Sequence, residues 1–375
     1  MVNIPKTSRA AVVTAFGKPL EIRDVPIPGE IEPGAILVRT DRASICGSDV
    51  HLWEGAMVGR RPIKLPVILG HEMAGRVVRL GAGAERDSVG QALGEGDRII
   101  WTHASCGQCY YCRVTYQPTL CMQRRYYMFS CCEEFPYLLG GFSEYCYVMP
   151  TSGRVRIPDG ISSELASAAS CALRTVVHGF DRLGRLTDLD TVAIQGAGPL
   201  GLFSLAAAIR AGAGRTILIG APAKRLDVAR RWGADHVLNI DEARDAQQRL
   251  ERILDLTDGL GPDVVIEVSG GATAFPEGLE MIRRGGRYLV IGQVSGAAVS
   301  MKPSVFTQKH IQVIGVLSGA VEHYYKALAF LAANRDRFAF EEMLSNRYRL
   351  DQINQALTAM QRFEEVKPVV LPEVG

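Results

Sequence analysis

Thr191-Val-Ala-Ile-Gln-Gly-Ala-Gly-Pro-Leu-Gly201 runs directly into Leu202-Phe-Ser-Leu-Ala-Ala-Ala-Ile-Arg-Ala211, and the change of character between the two halves decides the fold. Thr191–Gln195 is a short apolar run of strand type, and Pro199–Ala211 is a helix opened by proline. Between them lies Gly-x-Gly-x-x-Gly, formed by Gly196, Gly198 and Gly201, with Pro199 and Leu200 inside it. Such a pattern is weak alone, but a strand before it and a helix after it give it meaning. Gly196 makes the tight turn and Gly198 lets backbone amides approach a pyrophosphate. Gly201 seats the helix close on the sheet, with phosphate at the positive helix end. An ordinary strand–helix turn is the competing reading; a dinucleotide site fits the context better.

The same alternation continues outward. Thr216–Gly220, Val237–Ile240, Asp263–Val268, Arg287–Ile291 and Gln312–Val316 read as strands. Helical stretches stand at Lys224–Trp232, Glu242–Leu256, Phe275–Ile282 and Glu322–Ala332, followed by a short tail. Strand and helix in alternation predict a parallel α/β sheet. Upstream the texture differs. From residue 10 to about 160 the chain is a series of β-runs broken by Gly, Pro and Asp: Ala11–Thr14, Ile36–Thr40, Gly75–Leu80, Arg98–Thr102 and Tyr145–Met149. That half predicts a mostly β domain.

At 375 residues the chain is long enough for two or three domains. Hydrophobic residues make up 47% and charged residues 22%, so a packed core rather than disorder is expected. The net charge is +2, from 42 basic and 40 acidic residues, which gives nucleic acid no extended basic surface to bind. The longest uncharged stretch, Val192–Ile209, is broken by its glycines, and the apolar run Ala10–Phe16 is short. Neither predicts a membrane span or a secretory leader, so a cytoplasmic protein is expected.

The 9 cysteines are an odd number without disulfide density, and in a reducing compartment clusters of them read as metal ligands. Cys106, Cys109 and Cys112 stand at Cys-x-x-Cys-x-x-Cys spacing and Cys121 follows. Four thiolates from one winding loop close a tetrahedral shell, the mark of a structural zinc site. The first three spacings also fit an iron–sulfur loop, although the Cys-Pro ending is missing. A second set is scattered: Cys46-Gly-Ser48-Asp49-Val-His51, Gly70-His71-Glu72, and Cys171. Each part is weak alone. Together two sulfurs and an imidazole form a Cys₂His set with a fourth position open, the catalytic arrangement of zinc alcohol dehydrogenases.

With these motifs in this order, nearly the whole chain resembles a zinc-dependent alcohol dehydrogenase of the medium-chain dehydrogenase/reductase superfamily. The resemblance implies a GroES-like β domain over residues 1–160, completed by 308–375, and a Rossmann coenzyme domain over 161–307. It implies catalytic zinc on Cys46, His71 and Cys171, and structural zinc on Cys106, Cys109, Cys112 and Cys121. Ser48 would take the alcohol proton and His51 would pass it towards solvent. Glu72 would sit behind the metal, and Asp49 would orient His71. A small alcohol or carbonyl compound is the implied substrate, and a homodimer or homotetramer the usual assembly. The chemistry agrees: zinc as a Lewis acid makes a hydroxyl proton easier to lose, and nicotinamide carries the hydride.

Departures from the family pattern shape the remaining expectations. The lobe's last two cysteines have eight residues between them rather than the more usual seven. Ala169-Ser170 lacks the Glu that polyol dehydrogenases often supply, favouring Cys₂His. Gly47 stands where a basic residue is usual, leaving Lys367 as a candidate pyrophosphate contact. Gly220 ends the second coenzyme strand without the acid that binds a ribose 2′-hydroxyl, while Lys224 and Arg225 follow. That pattern favours NADP over NAD, unless both basic side chains lie on the solvent face. Two alternatives stand beside this reading: a zinc-free reductase of the same superfamily acting on activated double bonds, and a zinc-ribbon binding module. Cys131-Cys132 reads as a stray surface or loop pair with redox activity as the rival, and Cys146 as core. His103, His178, His236, His310 and His323 show no ligand spacing, and the Arg pairs at 60–61, 124–125, 230–231 and 283–284 read as solvated faces or ion-pair partners. Trp53, Trp101 and Thr102 are candidates for the substrate cleft or for core.

Overall fold

The structure, a computed structural model, describes residues 4–57, 63–292 and 298–373; the Arg pair at 60–61 lies outside them. The chain divides into two compact units. One comprises Met1–Arg174, Gly319–Arg335 and Phe340–Gly375, the other Thr175–Ser318 and Asp336–Ala339.

The first unit begins with β1 (Thr7–Val13), β2 (Glu21–Pro26) and β3 (Ile36–Ser44), then α1 (Gly47–Trp53), β4 (Val67–Ile68) and β5 (Glu72–Leu80). It continues with β6 (Arg98–Trp101), α2 (Tyr110–Arg113), β7 (Tyr145–Val148), β8 (Arg154–Arg156) and α3 (Ser163–Ala168). β1 lies between β2 and β4 in a small antiparallel sheet. β3 is the hub of the larger sheet, pairing antiparallel with both β5 and β7. Its register slips between Leu37 and Val38 and between Thr40 and Arg42, the extra twist that wraps a sheet around its core. Ile36, Leu37, Val38, Ile45, Trp101, Phe142 and Tyr147 fill that core at 2% exposure or less.

After Arg174 the chain builds the second unit. α4 (Arg174–Leu183) leads into β9 (Thr191–Gln195), α5 (Pro199–Arg210), β10 (Arg215–Gly220), α6 (Ala223–Arg231), β11 (His236–Asn239) and α7 (Ala246–Asp255). β12 (Val264–Glu267), α8 (Ala274–Met281), β13 (Arg287–Val290), α9 (Ser304–Lys309) and β14 (Gln312–Gly315) complete it. The six strands run parallel in the order β11-β10-β9-β12-β13-β14. The order reverses beside β9, so the Gly-rich turn after β9 sits at the switch point where open α/β sheets take ligands.

The chain then returns to the first unit through α10 (Val321–Asn334), β15 (Leu344–Arg349), α11 (Ile353–Gln361) and β16 (Lys367–Leu371). β16 pairs with β3 through Val369↔Ser44 and Val370↔Ala43. The supposed short tail is therefore a built strand–helix–strand, with Leu350, Ile353, Ala356 and Leu357 buried.

The expected divisions after residues 160 and 307 fall earlier than those of the structure. α3 packs on β3 and β5, which keeps it with the β unit. β14 hydrogen-bonds to β13 along its length, which keeps it with the parallel sheet.

Candidate active site and metal centres

The open centre is assembled around one carboxylate. As β3 ends, the chain turns through Cys46 into α1, and Asp49 Oδ2 accepts the Cys46 N–H at 2.8 Å. The other oxygen, Oδ1, accepts the Gly70 N–H at 3.0 Å and lies 3.4 Å from His71 Nδ1. Asp49 thereby fixes the loops that carry Cys46 and His71 and leaves His71 Nε2 as the ring atom that could meet a metal. Cys171 arrives from far along the chain on a π-helical turn, Ala169–Leu173, the widened turn common at functional sites. One ligand atom from each of Cys46, His71, Glu72 and Cys171 lies within 4.8 Å of the others. Ser48 Oγ stands 3.4 Å from His71 Nε2. His51 is on the same helix with its side chain 46% exposed, Nδ1 3.9 Å from Glu54 Oε2.

The charges there are coupled. The Cys46 thiol hydrogen-bonds to Cys171, which raises the pKa of Cys46 and, with Arg174 and His71, lowers that of Cys171 despite burial. Burial raises the Glu72 carboxyl, and the pull of Lys367 opposes that shift. Burial lowers Lys367 in turn, but Glu72, Cys46 and Cys171 outweigh it and push Lys367 up to about 12. Lys367 is 1% exposed, ion-pairs with Glu72, and has Nζ 3.3 Å from the Ile45 carbonyl. This corrects the expectation of a pyrophosphate contact: its ammonium neutralises a buried carboxylate and has no access to a coenzyme.

The donor set fits a soft divalent cation. Two sulfurs and an imidazole converge with a buried carboxylate whose Oε1 has no hydrogen-bond partner among the described residues. An orphaned buried oxygen of this kind is costly unless a further positive group meets it.

The cysteine lobe is built differently, from a single loop. Gly107 adopts φ +71° with open space around it, the left-handed bend that lets Cys106 and Cys109 face one point. The Sγ atoms of Cys109 and Cys112 are 3.6 Å apart, and those of all four cysteines lie within 4.8 Å of one another. Thiolates at ~2.3 Å from one tetrahedral ion would stand slightly under 4 Å apart, so the lobe fits a single ion. A multi-iron cluster holds its thiolates farther apart. The N–H groups of Gln108 and Cys109 draw Cys106 down to about 6, while burial and the neighbouring sulfurs push Cys112 up to about 12.

In the second unit the Gly-rich turn has the stereochemistry expected of it. Gly196 has φ +123°, and a Cβ on Gly201 would stand 1.7 Å from the Gly196 carbonyl oxygen. Pro199 opens α5, and helix starts of this kind are suited to receiving an anion. A Cβ on Gly198 would meet only Arg225 Nη1, at 4.0 Å. Lys224 is exposed, whereas Arg225 is 6% exposed and turned towards the turn. Gly220 is packed tight: a Cβ there would stand 2.6 Å from the Ala197 Cβ and 2.7 Å from its nitrogen.

Both halves match known families. Residues 32–159 match the alcohol dehydrogenase GroES-like domain, and residues 199–333 match the zinc-binding dehydrogenase domain. The chain is 32% identical to 5-exo-hydroxycamphor dehydrogenase of Pseudomonas putida, over 97% of this chain and 98% of that one. The chain belongs to the zinc-binding alcohol dehydrogenases. An alcohol dehydrogenase from Thermotoga maritima superposes on it with a TM-score of 0.89 at 34% identity, over 98% of this chain and 100% of the other. A zinc-binding dehydrogenase from Sinorhizobium meliloti, solved bound to NADP, does so at 0.83 and 28% identity, over 98% and 100%.

As a member of that family, this dehydrogenase is an NAD(P)-dependent oxidoreductase acting on CH–OH donors. The match across both units leaves no room for a zinc-ribbon module, and the convergence of Cys46, His71 and Cys171 is the feature zinc-free reductases lack. No helix among the described residues is long and apolar enough to cross a membrane.

Several of the dehydrogenase's neighbouring residues were invisible in the sequence. His103, without ligand-like spacing, stacks on His71 with ring centroids 6.2 Å apart. Arg124, read as part of a solvated pair, is 8% exposed, and Arg174 is 2% exposed. Cys131 and Cys132 are buried, not a surface pair, and Cys146 is core as expected. Trp101 belongs to the core, Trp53 donates Nε1–H to the Lys18 carbonyl, and Thr102 lines a small cavity.

Proposed function

We propose that the Cys46–His71–Cys171 centre holds the catalytic zinc, with Glu72 as a ligand or close neighbour, and oxidises a small alcohol to its carbonyl compound with NADP. The observation that carries this is the convergence of those four donors beside Ser48. Zinc held by these residues would supply Lewis acidity towards a substrate hydroxyl, and a nicotinamide coenzyme would supply the hydride-accepting chemistry. The chain's own groups do the rest. Asp49 holds the His71 ring, Ser48 accepts the hydroxyl proton, and half-exposed His51 passes it to water. Lys367 balances the Glu72 charge. Cys106, Cys109, Cys112 and Cys121 hold a second, structural zinc, and the turn Gly196–Gly201 receives the pyrophosphate. A cytoplasmic homodimer or homotetramer fits the family.

The NADP reading rests on Gly220, which leaves no carboxylate to repel a 2′-phosphate, and on Arg225, which faces the turn; Lys224 drops out as a solvent-face residue. Gly220→Asp would make a poor test, because its side chain would collide with Ala197. Arg225→Gln is the better one. The wild type should favour NADP in kcat/KM over a panel of alcohols. Losing a charge-assisted contact of ~1.5–3 kcal/mol should move the ratio about 10- to 100-fold towards NAD. A tenfold wild-type preference for NAD would overturn the NADP reading.

A further inference from the structure

One carboxylate inside the parallel sheet is only half satisfied. Glu267 is the last residue of β12, and its side chain is fully buried. Its Oε1 accepts three hydrogen bonds, from the Ser269 N–H at 2.8 Å, the Ser269 hydroxyl at 2.7 Å and the Gly270 N–H at 2.8 Å. Its Oε2 is buried too and has no hydrogen-bond partner among the described residues. Polar groups on the neighbouring strands are engaged elsewhere. Tyr288 donates its hydroxyl to Gln195 Oε1 at 2.9 Å, and Gln195 donates Nε2–H to the Ala274 carbonyl at 2.8 Å. Arg249, Arg283 and Arg287 pair with Glu277, Asp263 and Asp190, and among the described residues no cation pairs with Glu267. Three donors on one oxygen suit a charged carboxylate. Burying that charge without a cation is costly, and a cation brought near relieves the cost.

The position of this charge in the sheet matters. Glu267 stands in register with Gln195, the residue just before the Gly-rich turn, and the Val268 N–H bonds to the Gln195 carbonyl at 3.0 Å. A Cβ on Gly196 would stand 2.9 Å from the Ser269 nitrogen, so the loop after β12 packs directly on that turn. A Cβ on Gly292, just beyond β13, would stand 2.8 Å from Glu267 Oε2; glycine there leaves room for the oxygen. The carboxylate therefore lies at the carboxyl ends of the strands, on the β12–β13 side of the switch point. A dinucleotide lies across such a crevice with its adenosine ribose at the end of the second strand, here β10 at Gly220, which leaves β12 and β13 to the nicotinamide half. The nicotinamide ring is cationic when oxidised and neutral when reduced.

We propose that Glu267 sets the balance between the two coenzyme forms, its buried and unpaired charge favouring the oxidised, cationic nicotinamide over the reduced, neutral one. This rests on the reading of the Gly196–Gly201 turn as the coenzyme site. In alcohol oxidation the hydride leaves the carbinol carbon with both electrons of its C–H bond and enters the ring, cancelling the ring charge, while the hydroxyl proton leaves through Ser48. Glu267 opposes that transfer, favours its reversal, and loosens the reduced coenzyme for release. At an effective dielectric of ~20, a unit charge ~10 Å from another changes an equilibrium constant roughly 15-fold.

The test is calorimetric titration of the zinc-loaded full chain with the oxidised and reduced forms of whichever of NADP and NAD it binds more tightly. A third ligand is the analogue of the oxidised coenzyme with benzamide in place of nicotinamide, which keeps the shape of the ring without its charge. The wild type should bind the oxidised coenzyme about tenfold more tightly than the benzamide analogue, a comparison that decides even where a variant fails to fold. Glu267→Gln, with the same shape and no charge, should shift the ratio of the two Kd values about tenfold towards the reduced form. Glu267→Asp, which keeps the charge, should restore most of the wild-type ratio. A merely structural role would weaken both forms alike and leave the ratio unmoved. Equal binding of the charged and benzamide rings by the wild type, or an unmoved ratio in folded Glu267→Gln, overturns the role of Glu267 and leaves the coenzyme site standing. Failure of both coenzymes to bind in either form overturns the coenzyme reading itself.

Discussion

The two cysteine-containing centres share thiol donors and are built in opposite ways. The lobe draws all four sulfurs from residues 106–121, in a loop with just the four-residue α2 and a 3-10 turn at Pro118–Leu120, and with Tyr110, Val114 and Tyr116 exposed around it. The open centre gathers Cys46, His71 and Cys171 from a strand end, a loop and a π-turn, then encloses them with Asp49, Glu72 and Lys367 at 1% exposure or less. A local loop has little apolar packing of its own, so an ion bound there would supply much of its order. A buried centre is ordered by the sheet around it and is left with unbalanced charge for chemistry.

The largest effect that follows is on turnover. Cys46→Ala should remove the Lewis acid, a loss of several kcal/mol in barrier stabilisation, so that kcat falls by ~10³-fold or more. The circular dichroism spectrum should stay that of the wild type. Equal collapse of structure and activity would erase the distinction between the centres.

Cys109→Ala should do the reverse. Opening the closed thiolate shell should lower Tm and increase protease cleavage within residues 105–125, while folded protein retains most of its kcat. A kcat loss matching that of Cys46→Ala, with Tm unchanged, would contradict the division of roles.

His51→Gln should have a smaller effect, since its side chain is 46% exposed and water can replace it. A loss below the ~100-fold typical of an acid–base group is expected, largest at the acid end of the pH–rate profile. A profile superimposable on the wild type would remove His51 from the proton path.

The smallest effect concerns how the buried centre is fastened. Glu164, on the helix leading to Cys171, accepts two hydrogen bonds from Arg347 at 2.9 and 2.6 Å and lies 3.5 Å from Arg42. Arg347 first, and Arg42 after it, hold its carboxyl below the usual 4.5. A lowered folded-state value contributes stability that is complete above about 4.5 and is lost as pH falls through the folded value. Glu164→Gln should therefore cost about 1 kcal/mol at most near neutral pH, after solvent screening, and flatten the acid limb of the stability curve. An unchanged acid limb would contradict that fastening.

What the sequence revealed follows the same contrast. The lobe was legible because its ligands are close in sequence, and the Gly196–Gly201 turn because strand, glycines and helix are contiguous. The three-ligand centre was legible only through motif order, since nothing local links Cys171 to Cys46. The environment of that centre was not legible. Lys367 read as a phosphate contact because no pattern announces that β16 inserts beside β3 and carries it to Glu72. Arg124 read as a surface charge because its burial depends on α10, some two hundred residues on. The C-terminal strand–helix–strand escaped notice because its strands are short, and β15 has only one buried residue, Tyr348.

The measurement closest to the central claim is the zinc content of three purified proteins, taken together with alcohol-dependent reduction of coenzyme. Two zinc ions per wild-type chain are predicted. Cys171→Ser should retain one ion and lose turnover, and Cys112→Ser should retain one ion together with turnover. One zinc or none in the wild type under non-chelating conditions, or full turnover in Cys171→Ser, would contradict the account.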